Sequence, residues 1–133
     1  MKYLKLAVLL LFITHTACAQ DYQTKDELEN QIIGSWHLEN SAEDRIIFFK
    51  DGTVKRSDEN GSISADKYEI TKDCNGEKLS NKNFFLKIIG ENGISSCAYI
   101  EGINYDNNGI FSLMTKNQGK IIVYKRDQKI SVK

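Results

Sequence analysis

The chain has 133 residues, with 18 Lys/Arg against 18 Asp/Glu, three cysteines, two histidines and no proline. Balanced charge, with no basic run longer than Lys125-Arg126, argues against an electrostatic nucleic-acid binder. The length suffices for one hydrophobic core, and no low-complexity linker or internal repeat divides it.

Lys2 and Lys5 precede an apolar run from Leu6 to Ile13, and Thr16-Ala17-Cys18-Ala19 supplies small residues before Gln20. This is the layout of a secretory signal peptide over residues 1–19, too short for a retained membrane span, so residues 20–133 are predicted to form one exported domain. The leader has two endings. Ala17-Cys18-Ala19 fits small-x-small cleavage, which releases a free protein into the periplasm or outside the cell. Alternatively Cys18 becomes the lipidated first residue of a lipoprotein, although His15 stands where Leu is usual. The choice matters physically, because each buried lipid methylene contributes about 0.8 kcal/mol of membrane affinity.

In the exported domain, Thr24-Lys25-Asp26-Glu27 has the form of a capping box and predicts a short helix from about Lys25 to Ile33, burying Leu28 and Ile32. After Gly34 the hydrophobic period changes to two. Strands are predicted at Gly34 to Glu39, Arg45 to Lys50 and Thr53 to Ser57, the last two joined by Asp51-Gly52. Further strands follow at Asp66 to Thr71, Phe84 to Ile89, Ser95 to Ile103, Ile110 to Thr115 and Lys120 to Arg126. Turns at Asn60-Gly61, Asn75-Gly76, Asn92-Gly93, Asn108-Gly109 and Gln118-Gly119 separate the later segments. Eight short antiparallel strands after one helix define an all-β domain, either an up-and-down barrel or a two-sheet sandwich. The runs Ile46 to Phe49, Phe84 to Leu86 and Ile121 to Tyr124 are apolar at consecutive positions and need cover on both faces. That favours the barrel, whose outer face the helix and loops can partly cover, and leaves a dimer open.

With Cys18 in the leader, Cys74 and Cys97 remain as an even pair in a compartment where disulfides persist, and they are predicted to bond; the alternative is two buried thiols. A zinc site needs more ligands than these and His37 supply, so no metal or other cofactor is expected.

Gly34-Ser35-Trp36 on the first strand, directly after a short helix, is similar to the Gly-x-Trp motif of lipocalins, and Arg126 sits where their barrel-closing Arg does. Together with Phe48 to Val54 and Val123 to Arg126, the pattern resembles small lipocalin-like domains of bacterial exported proteins and lipoproteins over about Ile32 to Arg126. The resemblance implies an eight-stranded barrel in which Gly34, Trp36 and Arg126 form the structural motif, with Trp36 and Arg126 packed together at the closed end. The chain lacks the long helix that follows the last strand in larger lipocalins.

The remaining residues carry little catalytic signal. His37 is predicted on the face opposite Trp36, as a surface or half-buried strand residue. Glu43-Asp44 and Asp58-Glu59 are predicted in turns, where paired carboxylates are solvated. Asn104-x-Asp106-x-Asn108-Gly109 mimics the start of a calcium loop, but Thr115 occupies the position of the bidentate Glu, so a turn is expected. Asn60-Gly61-Ser62 matches a glycosylation sequon and is also read as a turn. Phosphate loops, zinc-peptidase helices and nucleophile elbows are absent from the sequence. The function expected is non-enzymatic: a lipocalin-like barrel of the cell envelope or secretome binding a small apolar or amphipathic molecule. Phe48, Tyr68, Phe84 and Tyr99 are candidate ligand-lining residues. The alternative is a filled barrel acting as an envelope protein-interaction module, an inhibitor or assembly subunit. In either case a membrane is a partner only through a lipid at Cys18.

Overall fold

A computed structural model describes residues 22–128. The predicted leader, with Cys18, lies outside the described residues. Among the described residues no helix is long and apolar enough to cross a membrane.

Helix α1 (Lys25–Ile32) starts at the predicted capping box. Thr24 Oγ1 accepts from the Glu27 amide at 3.2 Å, and Glu27 Oε2 accepts from the Thr24 amide at 2.9 Å, so two orphan donors are satisfied reciprocally. The helix ends one residue before the predicted Ile33 because its last carbonyls are taken by side chains from the sheet. Trp36 Nε1 donates to the Ile32 carbonyl at 2.8 Å, and Arg126 donates to the Gln31 carbonyl. Leu28 and Ile32 are buried as their four-residue spacing requires.

Among the described residues ten strands follow: β1 (Gly34–Leu38), β2 (Ser41–Phe48), β3 (Thr53–Ser57), β4 (Ile63–Thr71), β5 (Asp73–Cys74), β6 (Glu77–Lys78), β7 (Phe85–Ile89), β8 (Ser95–Ile103), β9 (Ile110–Thr115) and β10 (Ile121–Arg126). Eight of them close an antiparallel barrel in the order β1-β2-β3-β4-β7-β8-β9-β10, with β10 returning to β1 through the register Trp36↔Arg126. The structure is therefore the barrel and not the sandwich. Alternate side chains fill the interior, among them Trp36, Phe48, Val54, Leu86, Phe111 and Leu113. In β8 a register shift between Ile100 and Gly102 lets Ile100 and Ile103, three apart, both face inward.

Strands β2 and β4 begin earlier than predicted, at Ser41 and Ile63. The start of β2, Ser41 to Asp44, is mostly polar, whereas the start of β4 alternates as Ile63-Ser64-Ala65-Asp66 but is exposed on both faces. Because β2 starts at Ser41, Glu43 and Asp44 lie on a strand and not in the expected turn.

The hairpin β5-β6 was not expected as strands. It folds around Asn75 and Gly76, both at positive φ (52° and 95°), and lies on the outer face of the barrel. The disulfide Cys74–Cys97 ties it to β8 across 23 residues. Beneath it Phe85 is completely buried, its ring 5.0 Å from that of Tyr99. Lys116 reaches over Phe85 at 5.5 Å and pairs with Glu77, which also accepts from the Tyr99 hydroxyl at 3.3 Å. This outer cluster explains the run Phe84-Phe85-Leu86: Leu86 faces the barrel core and Phe85 faces the hairpin.

Candidate binding site at the barrel mouth

The two ends of the barrel differ. At one end, α1 packs across β4 and β8 and the interior is plugged. Trp36 is fully buried there, and the Arg126 guanidinium stacks 4.4 Å from its ring centre. Burial lowers the Arg126 pKa from its ordinary value, and its Nε has no partner among the described residues. Gly34 begins β1 at φ 128°, a conformation that strains any L side chain, whereas an added Cβ would meet only ordinary contact with Arg126 Nη1 at 3.8 Å. The glycine of the Gly-x-Trp pattern is thus required by backbone conformation.

An aromatic column leads from the plug toward the other end. The Trp36 and Phe111 rings are 5.5 Å apart, and Phe111 stacks on Tyr124 at 5.4 Å with planes 23° apart. Above Tyr124 the barrel opens into a cup of about 420 Å³. Leu38, Ile46 and Tyr124 form its apolar part, and two aspartates (Asp44, Asp58), two arginines (Arg45, Arg56) and three serines (Ser57, Ser62, Ser64) stand around them. Burial raises the Tyr124 pKa, with the Arg56 charge opposing and the Asp44 charge adding, so at neutral pH the cup offers a phenol hydroxyl. Neither Arg56 nor Asp44 is in an ion pair among the described residues. The cup can accept apolar surface on its floor while guanidinium, carboxylate and hydroxyl groups around it orient polar atoms.

None of the four candidate ligand-lining residues reaches this cup. Phe48 is buried at the plugged end, edge-on to Tyr68 at 5.0 Å. Tyr68 donates to the Phe49 carbonyl at 2.8 Å and lines a surface groove of about 380 Å³ beside α1. Phe84 lies half-buried against the core, with Lys72 Nζ 4.3 Å from its ring centre. Tyr99 lies outside the barrel, because its neighbours Ala98 and Ile100 face in and successive strand residues alternate. Aromatic content identified strand residues but not the end of the barrel each would occupy. Two cup residues stood in apolar runs readable from the sequence, Ile46 and Tyr124; Leu38, Arg56 and Ser64 carried no signal.

A second polar cluster lies on the outer face of β1. Asp127 accepts from Ser35 Oγ and, at 2.6 Å, from His37 Nδ1, and Arg45 Nε is 3.9 Å away. Burial raises the Asp127 pKa, but the hydrogen bonds from Ser35 and His37 and the Arg45 charge outweigh it and hold the carboxyl below its ordinary value. His37 is half-buried and outward-facing, as expected. The three residue types match a hydrolase triad, but the connectivity does not. Ser35 and His37 both bond the carboxylate, whereas nucleophile activation needs the serine bonded to the histidine.

The Asn104 to Gly109 segment is a turn that includes a short 3-10 element, with Asn104, Asp106 and Asn107 at positive φ. Its oxygens serve the turn itself: Asn104 Oδ1 accepts from the Gly109 amide and Asn108 Oδ1 from the Ile110 amide. Asn104 also donates to Gln31, tying the turn to α1.

Comparisons with protein-family models, curated proteins and solved structures find no match to this chain. Fold and site together define the class: a closed eight-stranded antiparallel β-barrel with one helix-plugged end and one open, polar-rimmed mouth.

Proposed function

We propose that this is an exported, non-enzymatic, lipocalin-like barrel that takes a small apolar or amphipathic molecule in its mouth. The observation that carries the reading is the cup of about 420 Å³ over Tyr124, within the usual volume range of small-molecule sites and combining an apolar floor with a charged and hydroxyl-bearing rim. The plugged lower barrel limits the ligand to one that sits shallowly, its affinity coming from apolar burial at about 25 cal/mol per Å². The packing of Trp36 against Arg126 at the helix end agrees with the lipocalin resemblance, and the disulfide is consistent with a non-cytoplasmic location. Ser35 and His37 bond Asp127 separately, so this cluster does not present a serine activated by a histidine.

The test is native mass spectrometry of protein purified from its own envelope fraction, before and after mild organic extraction, followed by titration with a naphthalene-sulfonate dye. A stoichiometric extractable mass is expected, together with dye binding that Leu38→Trp abolishes by filling the cup. A bare polypeptide whose dye binding is indifferent to Leu38→Trp would overturn the reading. Added acyl mass would place the lipid on Cys18, and a chain starting at Gln20 would show simple secretion.

A further inference from the structure

Closing a barrel removes sheet edges only where neighbouring strands are equally long, and β4 overhangs its neighbour. On one side β4 pairs with β3 over its whole first half, from Ser57↔Ile63 to Thr53↔Lys67. On the other side its pairing with β7 begins only at Lys67↔Ile89. The Tyr68 amide donates to the Gly52 carbonyl, so the even-numbered residues of β4 turn their backbone groups toward β3. Ile63 and Ala65 therefore turn theirs the other way, and among the described residues those groups have no partner.

The space beside this edge is a cleft of about 540 Å³ between Ile63 to Asp66 and the turn Gly90 to Asn92. Ile63, one of the most exposed apolar side chains at 71%, lines it. Protective lysines and prolines are missing from Ile63 to Asp66, and the charged residues of the cleft, Asp66 and Glu91, are both acidic. A second copy docking through the same edge would set these carboxylates against themselves.

We propose that this edge is a strand-addition site for an extended segment of a partner protein in which apolar residues alternate with lysine or arginine. Unpaired N–H and C=O groups recognise the partner's extended backbone. Ile63 and Ala65 on the outer face meet its apolar side chains, while Asp66 on the opposite face and Glu91 meet its basic ones.

The probe is a fluorescein-labelled peptide Lys-Val-Lys-Ile-Lys-Val-Lys, followed by polarisation against the full exported domain. Ala65→Pro removes one outward N–H without touching the bonds to β3, and Glu91→Lys reverses one charge. Each is expected to weaken binding about tenfold or more. The same peptide with Glu in place of Lys should not bind. N-methylation of its central residue, which needs no change in the protein, should also weaken binding about tenfold. No binding of the basic peptide, or equal binding by the N-methylated one, overturns the proposal. So does a concentration-dependent dimer that Ala65→Pro dissolves, because the occupant would then be a second copy.

Discussion

The disulfide is the constraint whose contribution can be worked most directly. Cys74 and Cys97 close a loop of 23 residues, for which the chain-entropy relation gives about 3 kcal/mol at 25 °C. The native state adds a local consequence. The β5-β6 hairpin has two-residue strands, too short to be stable alone, and its pairing of Glu77 with Lys116 lies in solvent, where it adds little. The double substitution Cys74→Ala/Cys97→Ala should therefore destabilise the domain by about 3 kcal/mol and lower its Tm by roughly 10–20 °C. It should also loosen the hairpin over Phe85. Urea unfolding followed by the single tryptophan suits the purpose, because Trp36 is buried at the plugged end, away from the hairpin, and reports on the barrel. Limited trypsinolysis at Lys72 and Lys78 reads the hairpin separately. A stability loss under about 1 kcal/mol with an unchanged denaturant slope would refute the entropic reasoning. Unchanged cleavage would show that Phe85 and Tyr99 hold the hairpin without the bond.

Three further substitutions probe other parts. Trp36→Ala should cost about 3–5 kcal/mol, since it empties a fully buried site and leaves the Ile32 carbonyl unpaired; circular dichroism melts that stay within about 1 kcal/mol of the parent would contradict a structural role. Thr24→Ala removes half of the capping box and should cost about 1 kcal/mol, measured in the same melts, whereas Thr24→Ser should cost far less. Asp127→Asn tests the outer cluster through pH. A carboxyl held below its ordinary value stabilises the folded state above the unfolded pKa of about 3.9 and loses that contribution as pH falls through the folded value. The Tm gap between parent and variant should thus be constant at neutral pH and close below about pH 4; a gap independent of pH down to strong acid would rule the carboxylate out.

Local features were legible because their causes are local. The capping box needs only Thr24 and Glu27 three residues apart, and the hairpin turns need only Asn or Gly where φ must be positive. Alternating or continuous apolar runs bounded by turn residues marked the barrel strands, and the even count left after Cys18 paired Cys74 with Cys97. What failed did so where strands are polar or very short, as at Ser41 to Asp44 and in β5-β6, since neither carries an apolar period.

The site itself depended on information that no single segment holds. Tyr124 lines the cup and Tyr99 the outer face because register and the bulge in β8 decide which way each strand presents its residues. Leu38, Arg56 and Ser64 become neighbours only when β10 closes onto β1 and β4 pairs with β3. Asp127 meets Ser35 and His37 through the same closure, across about ninety residues of chain. The sequence by itself determined which elements form, through periodicity, capping and turn chemistry that act over a few residues. Only the tertiary structure decided which end is plugged, which is open and which edge is left unpaired, because those follow from long-range hydrogen-bond register and unequal strand lengths around a closed sheet.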